Sequence, residues 1–383
     1  MDIQNGLEHL IYQLIEKNIL QIVGITPKKV MIHSHVSVRI TLSIMRKYLN
    51  KYLFMRWAIF IIPFFLVMSC SSPDYIYISD DSFTDNIKLT KTKGLDILAR
   101  IDHISLIGEK VVIIADRDSA IFCQYDLDGN LERSWGYKGQ ANNEYSIPML
   151  SKIDVNSFMI YDVPKKRKEY YTIENGNIVQ KETTILNNIS GMPLSMHSID
   201  NKNVIYDRLQ PQNISIYRCI DGEESILLNS LQCYSDQYES SKAYIGYIET
   251  SPKDEGFVYA FQYIDGFDIY DSQGNSICRV RRNTYKRTVY NDSTHNKTFC
   301  FGLDKSEEGF ILYRVNYTGK EILETPDIVT YIEEYDWMGK PLRRYELPLF
   351  ASKIAYVGNG EFIVCNNFSE NEYVQLYTPI KTH

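Results

Sequence analysis

Six short apolar runs recur along the chain at intervals of 46 to 53 residues, and this repeat limits the possible folds more than any other feature. The runs begin at Val111, Phe158, Val204, Phe257, Phe310 and Phe362. Apolar and polar residues alternate in the segments around each run, which is typical of β-strands and leaves no room for long helices. Repeats of about 50 residues with several short strands each are typical of β-propellers. The sequence therefore predicts an all-β, six-bladed β-propeller whose inner strands are the apolar runs.

A turn rich in Gly, Asn and Asp separates the expected second and third strands of most repeats, for example at 126–130 and 271–275. Such residues tolerate the positive φ that tight hairpins require. One short helix is expected near 238–247. The last repeat ends after its third strand, so we expect residues 87–89 or their surroundings to supply the missing outer strand and leave no exposed edge.

The N-terminal region carries the features of an export signal. Residues 57–68 form a twelve-residue apolar run, shorter than the roughly 20 residues of a membrane-spanning helix. Basic residues precede this run and Ser69 follows it, as in a secretory signal peptide. Residues 66–70, Leu-Val-Met-Ser-Cys, resemble a bacterial lipobox. That resemblance implies that Cys70 becomes the lipidated first residue of the mature protein.

These features predict four segments. Residues 1–54 are expected to be a poorly structured upstream extension, because a start at Met55 would give a signal peptide of ordinary form. Residues 55–69 are predicted to be the lipoprotein signal peptide, 70–85 a polar tether and 86–383 the propeller. The expected location is the cell envelope, with the protein anchored through its lipid, most simply to the outer membrane, facing the periplasm or the outside.

The charge distribution argues against nucleic acid as a partner. The first 69 residues hold eight basic and three acidic residues, so the remainder has 33 basic and 45 acidic residues and a net charge of −12. An acidic globular part does not attract a phosphate backbone.

The seven cysteines show neither a C-x-x-C pair nor His/Cys spacing typical of a metal site. Several, such as Cys123 and Cys365, lie within apolar runs. We expect buried thiols, although a disulfide between Cys219 and Cys233 stays open for an oxidising compartment.

Residues 136–148, Gly-Tyr-Lys-Gly-Gln-Ala-Asn-Asn-Glu-Tyr-Ser-Ile-Pro, resemble a signature of six-bladed propeller lipoproteins of the TolB-like and NHL-like type from Bacteroides-like bacteria. Ala141, Asn142 and Asn143 replace the usual Gly-Pro-Gly at its centre. Asn tolerates the left-handed backbone region, so the loop geometry is expected to survive. The resemblance covers about residues 70 to 380 and implies one propeller on a lipid anchor. It implies no particular activity.

Polar residues that follow the apolar runs are the candidate ligand-facing residues. They are Asp116, Asp118, Asp162, Asp207 and Asn366. A ring of such residues at the channel mouth could hold a cation or a polar ligand, and the alternative interpretation is that they end their strands in solvent. His103 and His197 fall in different repeats and could meet near the axis. The Asp126–Asn130 stretch lacks the full calcium loop and is better explained as a hairpin turn.

No hydrolase, metalloprotease or phosphate-binding motif is present, and neither a catalytic residue, a metal nor a cofactor is predicted. The sequence favours a non-enzymatic binding or scaffold module for an unknown protein, peptide or glycan, attached to the membrane by lipid. The alternative is a metal-dependent, lactonase-like propeller hydrolase or lyase with an axial site.

Overall fold

Of the residues that the structure describes, nearly all of the regular structure is β-strand. This computed structural model describes residues 75–95, 97, 100–115, 120–211, 213–231, 241–252, 255–282, 294–325, 328–367 and 374–380. All of them belong to the unit Pro73–His383. No helix among them has the length and apolarity needed to cross a membrane.

The strands follow in chain order. Two come first, β1 (Tyr75–Ile78) and β2 (Asp85–Leu95), with a 3-10 helix between them (Asp80–Ser82). The next sheet contains β3 (Ile101–Ile107), β4 (Lys110–Ala115), β5 (Phe122–Tyr125) and β6 (Leu131–Trp135). A two-stranded ribbon follows, made of β7 (Tyr137–Lys138) and β8 (Glu144–Tyr145). Two further sheets contain β9 (Pro148–Lys152), β10 (Ser157–Asp162), β11 (Arg167–Glu174) and β12 (Asn177–Ile185), and then β13 (Pro193–Ser198), β14 (Val204–Leu209), β15 (Ile214–Ile220) and β16 (Glu223–Leu228).

The second half of the described chain continues this pattern. After a 3-10 helix (Ser241–Tyr244) come β17 (Gly246–Thr250), β18 (Gly256–Phe261), β19 (Gly266–Asp271) and β20 (Ser276–Arg282). The remaining strands are β21 (Lys297–Lys305), β22 (Gly309–Thr318), β23 (Thr330–Asp336), β24 (Pro341–Leu347), β25 (Lys353–Gly358), β26 (Glu361–Cys365) and β27 (Val374–Pro379). One α-helix, α1 (Gly319–Glu324), follows β22.

The sheets share one antiparallel pattern, in which consecutive strands are neighbours. Three sheets have four strands each, in the orders β3-β4-β5-β6, β9-β10-β11-β12 and β13-β14-β15-β16. The fourth sheet, β17-β18-β19-β20, gains β1 as a fifth strand that runs parallel to β20. The largest sheet has eight strands in the order β21-β22-β23-β24-β2-β27-β26-β25.

The first strands of these runs contact one another in a closed series. The order is β3, β9, β13, β17, β21, β25 and back to β3. The fold is therefore all-β with a propeller-like arrangement of sheets around a central space.

The core lies between neighbouring sheets. Val112 and Ile114 of β4 pack with Phe158 and Ile160 of β10 in one of several such clusters, and all four are buried. Burial of each such side chain stabilises the folded state by about 1.5–3 kcal/mol. Every residue of β10 is buried, whereas most of the outer strand β6 is exposed.

The predicted order of the strands needs one correction. The six apolar runs are the second strands, β4, β10, β14, β18, β22 and β26, and not the innermost ones. A second strand is packed on both faces by neighbouring sheets and is therefore apolar throughout. The first strand has one face on the central space and carries polar residues there. The Gly/Asn/Asp turns accordingly join the third and fourth strands.

The turns themselves form as predicted. Asp126 Oδ1 accepts the backbone N–H groups of Asp128 (2.9 Å) and Asn130 (2.8 Å), and Gly129 adopts a φ of 87°. The same carboxylate pattern recurs at Asp271 and Asp336.

The predicted strand donation from the N-terminal side is also present. The second half of β2 pairs antiparallel with β27, Leu89 opposite Pro379, while its first half runs parallel to β24, Asp85 opposite Arg343. We call Tyr75–Leu95 the N-terminal strap. Its residues 75–85, which the sequence assigned to a tether, hold β1 and the 3-10 helix.

Two smaller expectations also have outcomes. The short helix expected near 238–247 is a 3-10 helix at Ser241–Tyr244, but the sequence prediction missed α1. Thr318 and Glu321 cap α1 in a reciprocal pair, and Thr-x-x-Glu is a sequence signal for such a start. The cysteines that the structure describes are buried and form no disulfide among themselves: Cys123, Cys219, Cys278, Cys300 and Cys365. Cys70 and Cys233 lie outside the described residues.

Candidate functional site

The first strands enclose a cavity of about 450 Å³. Each of β3, β9, β13, β17, β21 and β25 contributes residues to its lining. Cavities that hold small ligands are usually about 300–1,000 Å³. This cavity is the candidate functional site.

Strand register arranges the polar lining residues in two levels. His103, Tyr247 and Lys353 pair with equivalent positions of their second strands, namely Ile114, Ala260 and Cys365. Because side chains alternate between the faces of a strand, these three share one level around the cavity.

The second level lies two residues further along each first strand. His197, Glu249 and Asp304 pair there with Ile205, Val258 and Ile311. Ser105 and Ser151 take the equivalent places in β3 and β9. The cavity therefore combines imidazole, carboxylate, ammonium and hydroxyl groups, and apolar residues separate them.

The carboxylates of the second level have partners within the protein. Asp304 Oδ2 accepts the Tyr313 hydroxyl (3.2 Å) and the Tyr356 backbone N–H (3.0 Å). Glu249 Oε1 accepts the Thr250 backbone N–H (2.9 Å) and lies 3.4 Å from Lys305 Nζ. Burial raises the pKa of Asp304, and the nearby Lys152 lowers it in part.

Two lysines of the lining are in a different position. Lys152 and Lys353 are half-buried, and within the described part of the chain neither ammonium group has a hydrogen bond or a salt bridge. Burial lowers the pKa of Lys353, and Asp102 at the edge of the cavity raises it in part. A half-buried charge without a partner costs stability, so such groups often mark functional sites.

The two histidines lie within electrostatic range of each other, as the sequence suggested. Burial is the largest cause that lowers the pKa of His103 to about 3, followed by the Lys353 and His197 charges. Burial and the Lys305 charge lower the pKa of His197 to about 3. Both imidazoles are therefore neutral at physiological pH, and each can donate one hydrogen bond and accept another.

Of the five residues predicted to face a ligand, Asp162 and Asp207 are fully buried and are not part of the cavity lining. Asp162 Oδ1 accepts the N–H groups of Ser146 (3.1 Å) and Ile147 (3.0 Å). Asp207 Oδ1 accepts both the N–H (2.7 Å) and the hydroxyl (2.8 Å) of Ser195. Each carboxylate thus holds the chain just before or within a first strand.

The other predicted site residues give less information. Asn366 is half-buried and absent from the cavity lining. Asp116, Asp118 and the lipidation candidate Cys70 lie outside the described residues. A ligand contact by any of the five polar residues stays a prediction.

No group of three or more His, Cys, Asp or Glu residues among the described residues is arranged to hold a metal ion. The cavity's carboxylates and imidazoles are spread over different strands. Asp304 accepts a hydrogen bond from Tyr313, and Glu249 contacts Thr250 and Lys305.

The sequence prediction missed Lys152, Lys353, Tyr247, Glu249 and Asp304. All lie in first strands, which precede each apolar run and were not assigned to the inner position. The available signal was a polar residue at alternate positions upstream of a run, as in His-Ile-Ser (103–105) and Ser-Met-His (195–197).

Comparison with solved structures supports the fold through one neighbour with a TM-score above 0.5. No protein-family model matches the chain, and no curated protein matches it in sequence. A member of the DUF4221 family from Bacteroides vulgatus superposes with a TM-score of 0.54 at 12% identity, over 78% of this chain and 98% of that one. A putative exported protein from Bacteroides fragilis gives a TM-score of 0.48 at 10% identity, over 80% and 98%. Regucalcin from Agrobacterium tumefaciens gives a TM-score of 0.44 at 13% identity, over 77% of this chain and 95% of that one. At 12% identity, the similarity to the DUF4221 protein concerns the fold alone.

Proposed function

We propose that this protein is a six-bladed, lipid-anchored propeller of the cell envelope that binds a small polar molecule in its central cavity. The observation that carries the binding role is the cavity of about 450 Å³, where Lys152, Lys353, His103 and His197 present polar groups that lack hydrogen-bond partners in the described part of the chain. A ligand with complementary groups would relieve the cost of leaving them unpaired.

The blade count rests on dividing the eight-stranded sheet at β2. One blade is then β21 to β24, and the other is β25 to β27 with the second half of β2 as its outer strand. Together with the four smaller sheets this gives six blades. The closed series of six first strands supports this count.

The anchor rests on the sequence around Cys70. The expected outcome is that the chain, expressed in a bacterium with an alkyne-labelled fatty acid, takes up label, and that a Cys70→Ala variant takes up none. Equal labelling of both chains would contradict the anchor. Mass spectrometry of the precursor tests the proposed start at Met55, since peptides from residues 1–54 would refute it.

Binding is favoured over the lactonase-like alternative because the described cavity residues offer no cluster of metal ligands. The test is a thermal-shift screen of full-length chain in detergent against acidic, neutral and basic small molecules. A specific ligand raises the melting temperature through mass action.

A matched pair of variants locates the binding. Met149 lines the cavity, so Met149→Trp should fill it and abolish the shift, whereas Met338→Trp on an exposed turn should leave the shift unchanged. The proposal fails when no compound stabilises the protein, or when Met149→Trp binds like the unmodified chain.

A further inference from the structure

Hydrogen-bond donors and acceptors are satisfied unequally in the cavity. The carboxylates of Glu249 and Asp304 already accept hydrogen bonds from protein groups. The ammonium groups of Lys152 and Lys353 have no such partner among the described residues. The groups of the cavity that still lack a hydrogen-bond partner are therefore mainly cationic, although the lining has three acidic and three lysine side chains in all.

Neutral donors line the same cavity as these cations. The Tyr247 hydroxyl has no hydrogen-bond partner within the described residues, and burial raises its pKa above the ordinary value, so it keeps its proton. The imidazole of His103 shares a level of the cavity with Tyr247 and Lys353, and His197 lies on the level below. A neutral imidazole both donates and accepts, which matches the hydrogen-bonding pattern of a hydroxyl group.

We propose that the cavity binds a small hydroxy-carboxylate, such as a sugar acid, whose carboxylate lies against Lys353 while its hydroxyl groups contact His103, His197 and Tyr247. Lys152, which follows Ser151 in β9 and also lines the cavity, provides a second cationic contact. This inference rests on the proposed function and adds the chemical class of the ligand.

Other classes of ligand fit the cavity less well. A cationic ligand would meet the two unpaired ammonium groups, and the acidic side chain left for it is Asp102 at the edge of the cavity, since the others are engaged. A phosphate group is held most specifically by arginine or by the N-terminus of a helix, although lysine also binds phosphate as a point charge. The described lining contains neither an arginine nor a helix start.

The volume supports a molecule of this size. About 450 Å³ suffices for a compact ligand of one or two sugar rings, and it is at the lower end of the usual range for ligand sites. A polymeric ligand could enter only with one terminal unit.

The test measures dissociation constants by calorimetry on the full-length chain in detergent. The probes form matched sets: D-glucuronate and D-gluconate as acids, D-glucose and D-glucitol as neutral counterparts, D-glucosamine as the amine, and inorganic phosphate as a simple anion. We expect an acid to bind at least tenfold more tightly than its neutral counterpart, which corresponds to about 1.4 kcal/mol.

Lys353→Met removes the charge and retains most of the side-chain shape. It should weaken binding of the acid at least tenfold and leave the melting temperature without ligand equal or higher, because it removes a half-buried, unpaired charge. Lys152→Met should weaken binding in the same direction. Lys340→Met, on an exposed turn, is the matched control and should change neither value.

The outcomes separate the two proposals. If only neutral or amine probes bind in the cavity, or if phosphate binds as tightly as the acids, the hydroxy-carboxylate inference is overturned and the binding role stands. An unchanged dissociation constant in Lys353→Met also overturns the inference. If no compound binds at all, both proposals fail together.

Discussion

Replacing Phe83 by alanine tests whether the N-terminal strap is part of the core. Phe83 is 5% exposed and packs in a cluster with Phe267, Phe310 and Tyr335 of the fourth and largest sheets. Its ring meets Tyr335 edge-on at 5.6 Å, and the Arg282 guanidinium lies 5.5 Å from its centre. Phe83 thus links the strap to two sheets at once.

Truncation of a buried phenylalanine to alanine costs about 3–5 kcal/mol, the sum of lost transfer energy and the cavity left behind. Domains are usually stable by about 5–15 kcal/mol, so the loss should be a fifth or more of the total. The neighbouring Asp80 adds ion pairs to Arg282 (2.8 Å) and Arg344 (3.2 Å), but its side chain is 63% exposed. Solvent screening makes these pairs a minor contribution.

The assay is urea unfolding followed by tryptophan fluorescence, with the midpoint and the slope fitted separately. The Phe83→Ala midpoint should fall while the slope stays the same. Tyr77→Ala is the control, because Tyr77 is an aromatic residue of the same strap that is 60% exposed, and it should change stability by less than about 0.5 kcal/mol. A Phe83→Ala loss below about 1 kcal/mol would refute the view that the strap closes the core.

Three further predictions concern single residues. Asp207→Asn should stabilise the protein relative to the original chain, and increasingly so as pH rises from 4 to 7. Burial raises the folded-state pKa of Asp207 from 3.8 to about 6, so the original protein loses up to about 3 kcal/mol of stability over this range, whereas the neutral Asn does not titrate. Urea midpoints of both chains across this range check it, and parallel pH profiles would contradict it. Gly136→Ala should destabilise the folded protein by roughly 1–3 kcal/mol, because the new Cβ would lie 2.6 Å from the Phe122 ring. Gly176→Ala is the control, since Gly176 has a similar positive φ but open space around it and so reports the backbone cost alone. Equal losses in the two variants would contradict the steric argument. The NMR shifts of His103 and His197 should stay constant between pH 5 and 8, since burial lowers both pKa values to about 3, and a titration in that range would contradict the neutral state of the two imidazoles.

The repeat could be predicted from the sequence because the second strands carry a strong signal. Each is packed on both faces and is therefore a continuous apolar run, such as Phe-Met-Ile-Tyr at 158–161. The hairpin turns have an equally local cause, because Asp126 and Gly129 fix the turn without help from distant residues. The strand donated by β2 followed from counting strands in the last repeat.

The cavity could not be predicted in the same way. A first strand such as β17, Gly-Tyr-Ile-Glu-Thr, is short and contains both polar and apolar residues. What each of its faces contacts depends on the neighbouring sheets. Whether Glu249 faces a cavity, a neighbouring sheet or solvent depends on contacts between residues more than 50 positions apart, such as that with Lys305. Of the cavity residues, the sequence predicts only the proximity of His103 and His197, because the chain has just seven histidines.

The misassigned inner strands explain the choice of candidate residues. The sequence predicts that polar residues after the apolar runs face a ligand, and this contact stays a prediction. In the structure, Asp162 accepts a hydrogen bond from the chain that leads into β9, and Asp207 accepts one from a residue within β13. In this fold a buried carboxylate behind the first strand holds in place the strand that lines the cavity. Ser195 links the two layers, since it lines the cavity and donates both its N–H and its hydroxyl to Asp207. A change at Asp207 should therefore reach the ligand through the position of β13, even though the carboxylate is not part of the cavity lining.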